Sequence, residues 1–155
     1  MAAANRLLKE LRQARSSTDT DIKLDVVDDS SVFLWKAQLR GPPDTPFEGG
    51  TFEVKLRVPS DYPLVPPAAS FVTKIFHPNV NFQSGEICVD ILKSSWTPAW
   101  TLNSVCRAII SLLSHPEADS PLNCDAGNLI RAGDDVGYNA MARFYAVTEA
   151  GAPVA

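Results

Sequence analysis

Positive charge is scarce in this sequence. Its 155 residues contain 14 lysines and arginines against 18 aspartates and glutamates, and the net charge at pH 7 is −4. General nucleic-acid binders recognise phosphate with clustered cations that outweigh the acids. The composition therefore argues against nucleic acid as a partner, and we expect the basic residues to act locally.

Cysteine is sparse as well. The three cysteines, Cys88, Cys106 and Cys124, are an odd number and follow one another at intervals of 18 residues, which match no Cys-x-x-Cys zinc or redox motif. We therefore expect neither a metal site nor a disulfide framework. Cys106 lies on the apolar face of a predicted helix and Cys124 in a predicted polar loop, and we interpret both as structural residues.

The sequence also lacks a long apolar segment. Its first eight residues do not contain the apolar core of a signal peptide, and no later run approaches the length of a membrane span. We expect a cytoplasmic protein with reduced thiols and no direct membrane insertion. A free, reactive Cys88 is compatible with such a compartment.

The overall composition fits one domain. A hydrophobic fraction of 45% and a charged fraction of 21% indicate a soluble chain, and a chain of this length buries roughly 70% of its unfolded surface. We predict a single domain over residues 1–155, with a short flexible C-terminal tail from about residue 149.

Helix patterns lie at both ends of the chain and strand patterns between them. Leu7, Leu8 and Leu11 share one face of a predicted N-terminal helix that also carries a basic stripe. Apolar residues at helical spacing predict a central helix over about 102–113 and a terminal helix around 138–145. Strand patterns cover residues 22–27, 32–39, 51–58 and 70–73.

This order predicts an α+β domain. A four-stranded antiparallel meander would pack on the central helix, with an N-terminal helix before it and C-terminal helices after it. A long irregular segment from about residue 76 to 101 would connect the sheet to the central helix. Since such segments are uncommon in compact domains unless they carry function, we expect this one to expose Cys88.

Cys88 is the residue with the clearest chemical role. It lies nine residues after Asn79 in the segment Gly-Glu-Ile-Cys-Val-Asp-Ile-Leu, and rigid proline turns flank it on both sides. A cysteine that carries an acyl group needs a positioned hydrogen-bond donor for the developing oxyanion. The carboxamide of Asn79 is such a donor, and the pattern predicts a transferase with a thioester intermediate.

Several motifs together resemble the ubiquitin-conjugating enzyme family, from Arg6 to about Ala146. The resemblance implies the ubiquitin-conjugating-enzyme fold and its activity, in which Cys88 receives ubiquitin from an activating enzyme as a thioester and passes it on with a RING-type ligase. No bound cofactor is implied, because the upstream activating enzyme uses the ATP. The motifs are His77-Pro78-Asn79, Gly85-x-Ile87-Cys88-Val89-Asp90-Ile91-Leu92, Trp96-x-Pro98-Ala99, Asp119-Ser120-Pro121-Leu122, Tyr62-Pro63-x-x-Pro66-Pro67 and Gly41-Pro42-x-x-x-Pro46-Phe47-x-Gly49-Gly50.

The segment from His115 to Leu129 and the nine-residue spacing before Cys88 resemble the peroxisomal branch of the family. That resemblance implies an acceptor, the import receptor for peroxisomal matrix proteins, whose recycling the transfer supports. It also implies recruitment to the cytosolic face of the peroxisomal membrane by a membrane-anchored peroxin. A conjugating enzyme of another ubiquitin pathway, or one for a ubiquitin-like modifier, remains the alternative.

The same resemblance assigns catalytic roles near Cys88. Asn79 would donate to the oxyanion or brace the loop, and the two roles can coexist. Ser120 stands where the family carries Asp or Ser near the acceptor entrance; as a poor base it would handicap a lysine acceptor more than a cysteine acceptor. Support of the active-site loop falls to His77, Pro78, Asp90, Asp119 and Leu122.

Partner surfaces are also implied by the resemblance. Arg6 and Lys9 on the first helix fall where the family meets the activating enzyme. Phe71, Pro98 and Ala99 match the apolar loops that meet a RING-type ligase. Ordinary strand packing is the alternative for Phe71, and a rigid turn is the alternative for Pro98.

Three other protein classes can be weighed against this interpretation. A cysteine hydrolase would use His77 as a base, but a strong base beside a thioester would promote hydrolysis, and we assign His77 to support and His115 to the end of the central helix. A non-catalytic adaptor would lack Cys88, and a metal-binding domain would need clustered ligands. The Phe82-Gln83-Ser84 expansion could alter acceptor access.

Overall fold

The predicted strands and helices form a four-stranded antiparallel sheet with one helix before it and three after it. The structure is a computed structural model that describes residues 2–154, and the α+β class with its antiparallel meander is confirmed over that range. The elements are α1 (Ala2–Arg15), β1 (Ile22–Val26), β2 (Leu34–Arg40), β3 (Thr51–Arg57), β4 (Ala68–Phe71), α2 (Leu102–Ser114), α3 (Cys124–Arg131) and α4 (Asp135–Ala150).

The sheet follows the order β1-β2-β3-β4, and each strand alternates buried and exposed residues. Directly paired residues such as Ala37 and Val54, or Leu39 and Phe52, point to the same face and are fully buried. Since side chains alternate with a period of two, every other residue faces the solvent. The sheet therefore has one apolar face and one polar face.

Helix α2 covers the apolar face of the sheet, where it packs against β1 and β2. Its buried side is formed by the predicted apolar positions, including Val105, Cys106 and Ile109. Thr101 caps its first turn by accepting a hydrogen bond from the Ser104 N–H at 3.1 Å. Among residues 2–154, no helix has both the length and the apolar character needed to cross a bilayer.

Glu10 connects α1 to α2 through a buried carboxylate that the sequence analysis did not single out. Only 6% of Glu10 is exposed. Its carboxylate accepts from the Tyr62 hydroxyl at 2.6 Å, from the Leu102 N–H at 2.8 Å and from the Arg6 guanidinium at 2.9 Å. A buried charge is tolerated when it is paired and hydrogen-bonded in this way, so these contacts fix α1 against the start of α2.

The segment before α2 is less irregular than its sequence predicts. Val80 and Ile87 form an antiparallel bridge, and a 3₁₀ turn covers Asp90–Leu92. Between the bridged residues the chain reverses at Gly85, whose φ is 78° and where a Cβ atom would lie 2.0 Å from the Phe71 carbonyl oxygen. Only glycine fits this turn, which directs the chain towards Cys88.

The C-terminal part differs from the sequence prediction in two places. Cys124, predicted in a polar loop, is the first residue of α3, and the Asn123 side chain caps that helix by accepting from the Ala126 N–H at 3.1 Å. At the end of the chain, where we expect a flexible tail from about residue 149, α4 continues to Ala150 and Ala152 is buried.

Candidate active site

Cys88 lies half-exposed in an open groove between the 3₁₀ turn and α2. The groove has a volume of about 560 Å³, and α2 contributes Ala108, Ser111 and Leu112 to its wall. Five of the predicted site residues are distant in sequence but line this groove together. They are Asn79, Cys88, Asp90, Asp119 and Ser120.

The backbone of Cys88 is fixed by the residues that precede it. The Cys88 N–H donates to the Asn79 carbonyl at 2.9 Å. Lys93, which the sequence analysis did not select, places its ammonium nitrogen 3.7 Å from Cys88 Sγ. A cation beside the sulfur is a setting in which cysteine thiolates react. The 3₁₀ turn Asp90–Leu92 brings the two side chains together, which sequence spacing alone does not reveal.

Asn79 braces the groove through both ends of its carboxamide. Its Nδ2 donates to the Glu117 carbonyl, and its Oδ1 accepts from the Glu117 N–H, each at 2.8 Å. Only 3% of Asn79 is exposed. Because a carboxamide nitrogen carries two donors, one N–H remains beyond the bond to Glu117. The bracing contacts are directly visible, and the oxyanion role remains a prediction.

His77 is fully buried beneath the groove. Its Nε2 donates to the Leu112 carbonyl at 2.9 Å, and its Nδ1 accepts from the Asn79 N–H at 3.0 Å. Burial lowers the pKa of His77 to about 4, and the hydrogen bond to Leu112 opposes this shift only in part. A neutral ring with both nitrogens occupied is poorly suited to take a proton from Cys88, and its contacts are those of a supporting residue.

The loop that carries Asp119 and Ser120 is held against Pro78 by backbone hydrogen bonds. The Pro78 carbonyl accepts from the Leu122 N–H at 2.8 Å and from the Asn123 N–H at 3.1 Å. Both Asp119 and Ser120 are exposed at the rim of the groove. Ser120 has a φ of 53°, a left-handed conformation that is uncommon for residues with a side chain and often occurs at functional turns.

Asp90 and His115 both line the groove. The Asp90 carbonyl accepts from the Lys93 N–H at 2.9 Å and from the Ser95 N–H at 3.1 Å, while its side chain is exposed. At the end of α2, the His115 N–H donates to the Ser111 carbonyl at 3.0 Å, and the ring Nδ1 lies 3.2 Å from the same oxygen. These contacts fix the 3₁₀ turn that follows Cys88 and the end of α2.

The three cysteines have different environments. Cys106 is fully buried on α2, and burial raises the pKa of its thiol to about 12, against a smaller opposing effect of Arg107. Cys124 is exposed on α3 and does not line the groove. Only Cys88 combines partial exposure with the groove. Across residues 2–154, no group of three His, Cys, Asp or Glu side chains could hold a metal ion.

The predicted activating-enzyme residues lie on α1, where they differ in their contacts. Arg6 donates to the Pro98 carbonyl at 3.1 Å and to the Trp100 carbonyl at 2.7 Å, and its guanidinium lies 5.4 Å from the Tyr62 ring centroid. Lys9 is exposed. Arg6 therefore also holds α1 against the segment before α2, whereas Lys9 is available at the surface.

The predicted ligase surface needs one correction. Pro98 and Ala99 are exposed, but Phe71 is only 5% exposed, because it points from β4 into the core, where its ring lies 6.2 Å from that of Phe52. Strand packing therefore accounts for Phe71, and its side chain offers little surface to a partner. The alternation of β4 decides this outcome, and the predicted strand began two residues too late to show it.

Leu64 is the apolar residue that the sequence analysis missed. It is 77% exposed, and its turn is held next to the Pro98 segment because the Trp96 indole N–H donates to the Pro63 carbonyl at 2.8 Å. A leucine fixed in solvent by flanking prolines is the sequence signal that could have identified it. Leu64, Pro98 and Ala99 are exposed on the two turns that this bond joins, and we name these three residues the proline-loop surface.

The expansion near the active site forms a compact turn that packs away from the groove. The Asn81 side chain accepts from the Gln83 and Ser84 N–H groups, each at 2.9 Å. The Phe82 ring lies 5.0 Å from the Tyr145 ring on α4. None of these residues belongs to the groove lining described above, and the expansion packs against α4.

Comparison with known proteins gives a consistent result. Residues 6–146 match the family described as ubiquitin-conjugating enzyme. Protein PEROXIN-4 of Arabidopsis thaliana is 56% identical over 146 residues, which are 93% of this chain and 92% of the relative. Ubiquitin-conjugating enzyme E2 pex4 of Dictyostelium discoideum is 57% identical over 142 residues, or 92% of this chain and 95% of the relative.

Solved structures with the same fold extend this similarity. The crystal structure of H. polymorpha ubiquitin conjugating enzyme Pex4p, in complex with the soluble domain of Pex22p, superimposes with a TM-score of 0.91 at 36% identity, covering 96% of this chain and 98% of that one. A ubiquitin conjugating enzyme described as putative from Plasmodium yoelii gives 0.90 at 35% identity, with coverages of 99% and 98%.

Proposed function

Because this chain belongs to the ubiquitin-conjugating enzyme family, we propose that Cys88 is the residue that carries ubiquitin as a thioester. The observation that supports this most strongly is the groove, which brings the partly exposed sulfur together with Asn79, Asp119 and Ser120. The other two cysteines lie outside it. Lys93 adds a cation at 3.7 Å from the sulfur.

The proposed chemistry is two successive acyl transfers. The Cys88 thiolate attacks the thioester carbonyl of ubiquitin on the activating enzyme, a new carbon–sulfur bond forms, and the activating enzyme's cysteine leaves as a thiolate. An acceptor thiolate or amine then attacks the Cys88 thioester carbonyl, the carbon–sulfur bond to Cys88 breaks, and the sulfur leaves as a thiolate, while an amine acceptor releases its proton to solvent. The free N–H of Asn79 would donate to the oxyanion of this second step, and its loss would cost about 2.7–4 kcal/mol of barrier.

Partner surfaces follow from the same proposal. Arg6 and Lys9 on α1 would contact the activating enzyme, and the proline-loop surface would contact a RING-type ligase. That surface suits a protein partner because exposed apolar patches rimmed by polar residues mark interaction sites. Leu64 takes the place first given to Phe71, whose side chain is buried.

We further propose that the protein acts at the peroxisome. The two relatives named as peroxin-4 enzymes and the fold shared with Pex4p support this assignment. Because that Pex4p was crystallised with the soluble domain of Pex22p, a membrane-anchored peroxin of the same kind is the proposed partner here. Ubiquitin would pass to the matrix-protein import receptor, so that the receptor is recycled.

Loading of Cys88 can be tested directly. The protein is incubated with ubiquitin, activating enzyme and ATP, and reducing and non-reducing gels are compared for wild type, Cys88→Ala and the control Cys124→Ala. We expect a reductant-sensitive adduct in wild type and in the control, and none in Cys88→Ala. If an adduct forms with a ubiquitin-like modifier but not with ubiquitin, the proposal that ubiquitin is the modifier is wrong.

Acceptor chemistry is tested by discharge of the loaded enzyme. Because Ser120 is a poor base and lysine has a pKa near 10.4 against about 8.5 for cysteine, we expect free cysteine to discharge Cys88 faster than free lysine at pH 7. Each rate is corrected for the uncatalysed reaction, which is measured with the same free amino acid and a thioester between ubiquitin and a small thiol. Equal corrected rates would remove the proposed preference for a cysteine acceptor.

A further inference from the structure

The solvent face of the sheet carries an excess of positive charge in a protein whose net charge is −4. The outward positions of the four strands present five cations and two carboxylates. We name this surface the basic sheet face. Its cations are Lys23, Lys36, Arg40, Lys55 and Arg57.

Neighbouring carboxylates neutralise these cations only in part, since Asp25 on β1 lies directly opposite Lys36 on β2. Within the described chain, none of the five forms an ion pair, whereas the carboxylate of Asp25 is already paired with Arg15 at 3.0 Å. Lys36 and Lys55 lie directly opposite each other on β2 and β3. Like charges in such a pair reduce stability, and Asp25 on the other side of Lys36 offsets part of this repulsion.

Protection against aggregation does not account for this pattern. Lysines that prevent edge-to-edge pairing are placed on edge strands, but β2 and β3 are the central strands of the sheet. Their N–H and C=O groups are already paired on both sides. A charged ligand outside the sheet would compensate the repulsion between Lys36 and Lys55.

We propose that the basic sheet face docks on an anionic lipid surface. Protein interfaces depend on buried aromatic and aliphatic anchors and are depleted in lysine, yet the strands contribute no aromatic residue and one half-buried large aliphatic residue, Leu34, to this face. A lipid headgroup layer needs only a broad array of cations, each contributing roughly 1 kcal/mol near an anionic membrane.

This docking would orient the enzyme on the membrane. Helix α2 covers the opposite face of the sheet and forms one wall of the Cys88 groove. With the basic sheet face on the lipid, the groove is turned away from the membrane and is open to its partners. The inference rests on the proposed recruitment to a membrane, where an anchored partner would raise the local concentration of a weak lipid contact.

Vesicle sedimentation of the full chain tests the proposal. Phosphatidylcholine vesicles with and without phosphatidylserine are compared for wild type, Lys36→Gln/Lys55→Gln, and a control pair on helices, Arg12→Gln/Arg131→Gln. At about five-fold per lysine, we expect the sheet variant to bind phosphatidylserine vesicles roughly 25-fold more weakly. The control should bind like wild type, and added salt should weaken binding.

Several outcomes would overturn this inference. They are no preference of wild type for phosphatidylserine, equal losses in the two double variants, or full competition by soluble glycerophosphoserine at matched headgroup concentration, which would indicate a single phosphate site. The inference would also be overturned if the sheet variant kept its binding to vesicles and instead lost binding to an acidic protein or to nucleic acid. Ubiquitin loading of each variant is measured in solution, so a failure of the proposed transferase activity is distinguished from a failure of membrane docking.

Discussion

Asn79 joins the segment before Cys88 to the segment that follows α2. Its carboxamide forms hydrogen bonds with both backbone groups of Glu117. The backbone N–H of Asn79 donates to the His77 ring, and its backbone carbonyl accepts from the Cys88 N–H. One side chain therefore fixes two segments that are distant in sequence. Removal of the carboxamide leaves the N–H and C=O of Glu117, which are partly buried, without these partners.

We predict that Asn79→Ala lowers the free energy of unfolding by about 1–3 kcal/mol and slows discharge of loaded Cys88 by roughly 10²–10³-fold. Denaturant unfolding and single-turnover discharge measure the two effects. Asn123→Ala is the matched control, since it removes a buried asparagine that caps α3 without lining the groove. If the control slows discharge as much as Asn79→Ala does, loss of stability and not loss of a donor explains the rate.

His77 predicts a dependence of stability on pH. The folded protein keeps the ring neutral because burial lowers its pKa to about 4 from an ordinary value of 6.5. The unfolded chain binds the proton first as pH falls, so this contribution is complete above pH 6.5 and is lost towards pH 4. Its size is about 3 kcal/mol.

Urea unfolding between pH 7 and about pH 4 measures this loss. His77→Gln keeps a donor for Leu112 and an acceptor for the Asn79 N–H but cannot titrate, so we expect a flatter pH profile. His115→Gln, which changes the exposed histidine, should retain the wild-type profile. A His77→Gln profile as steep as that of wild type would contradict the assignment.

Sequence motifs selected several residues that the fold places close together. Cys88, Asn79 and Ser120 were selected from motifs and lie in one groove. The predicted exposure was wrong for Phe71, and Leu64 was missed. Exposure of a side chain depends on the strand register and on which turns pack together, and motifs do not show either. Lys93 was missed because its distance to the sulfur depends on a 3₁₀ turn that the sequence does not signal.

At the scale of elements, α1 has two roles that can be separated. Arg6 is tied to the carbonyls of Pro98 and Trp100 and to the buried carboxylate of Glu10, whereas Lys9 is exposed. The helix therefore stabilises the segment before α2 and is also a proposed surface for the activating enzyme. Charge reversal at the two positions has different consequences.

We predict that Lys9→Glu slows loading of Cys88 with a change in stability below about 0.5 kcal/mol. Arg6→Glu should also slow loading, and it should destabilise the fold by about 3–5 kcal/mol because it removes a partner of the buried Glu10. Pre-steady-state loading and thermal unfolding measure the two effects. Lys36→Glu is the control for charge reversal away from α1, and unchanged loading by Lys9→Glu would count against the assignment.

Elements with strong periodicity were predictable from the sequence, and short ones were not. The apolar spacing around α2 and the alternation in β3 gave boundaries within one residue of those observed. Helix α3 spans only eight residues and begins directly after a capping asparagine within a loop motif. The bridge between Val80 and Ile87 depends on pairing across a turn, which no local pattern signals.

At the scale of the whole molecule, the fold separates two surfaces. The Cys88 groove and the proline-loop surface are built from the segments around α2, and the basic sheet face lies on the other side of the sheet. The core between them is continuous from α1 to α4. Family resemblance predicted this architecture, but the charge distribution on the sheet became visible only when the strand register placed Lys36 opposite Lys55.

The most direct test of the central claim is the intact mass of Cys88→Ser after incubation with ubiquitin, activating enzyme and ATP. A serine at this position forms an oxygen ester that resists reductant, so the adduct can be isolated and mapped. We predict one added ubiquitin, less one water, attached at residue 88 and absent without ATP. An unmodified protein with an intact fold, or a ubiquitin attached at another residue, would contradict the assignment of Cys88 as the thioester carrier.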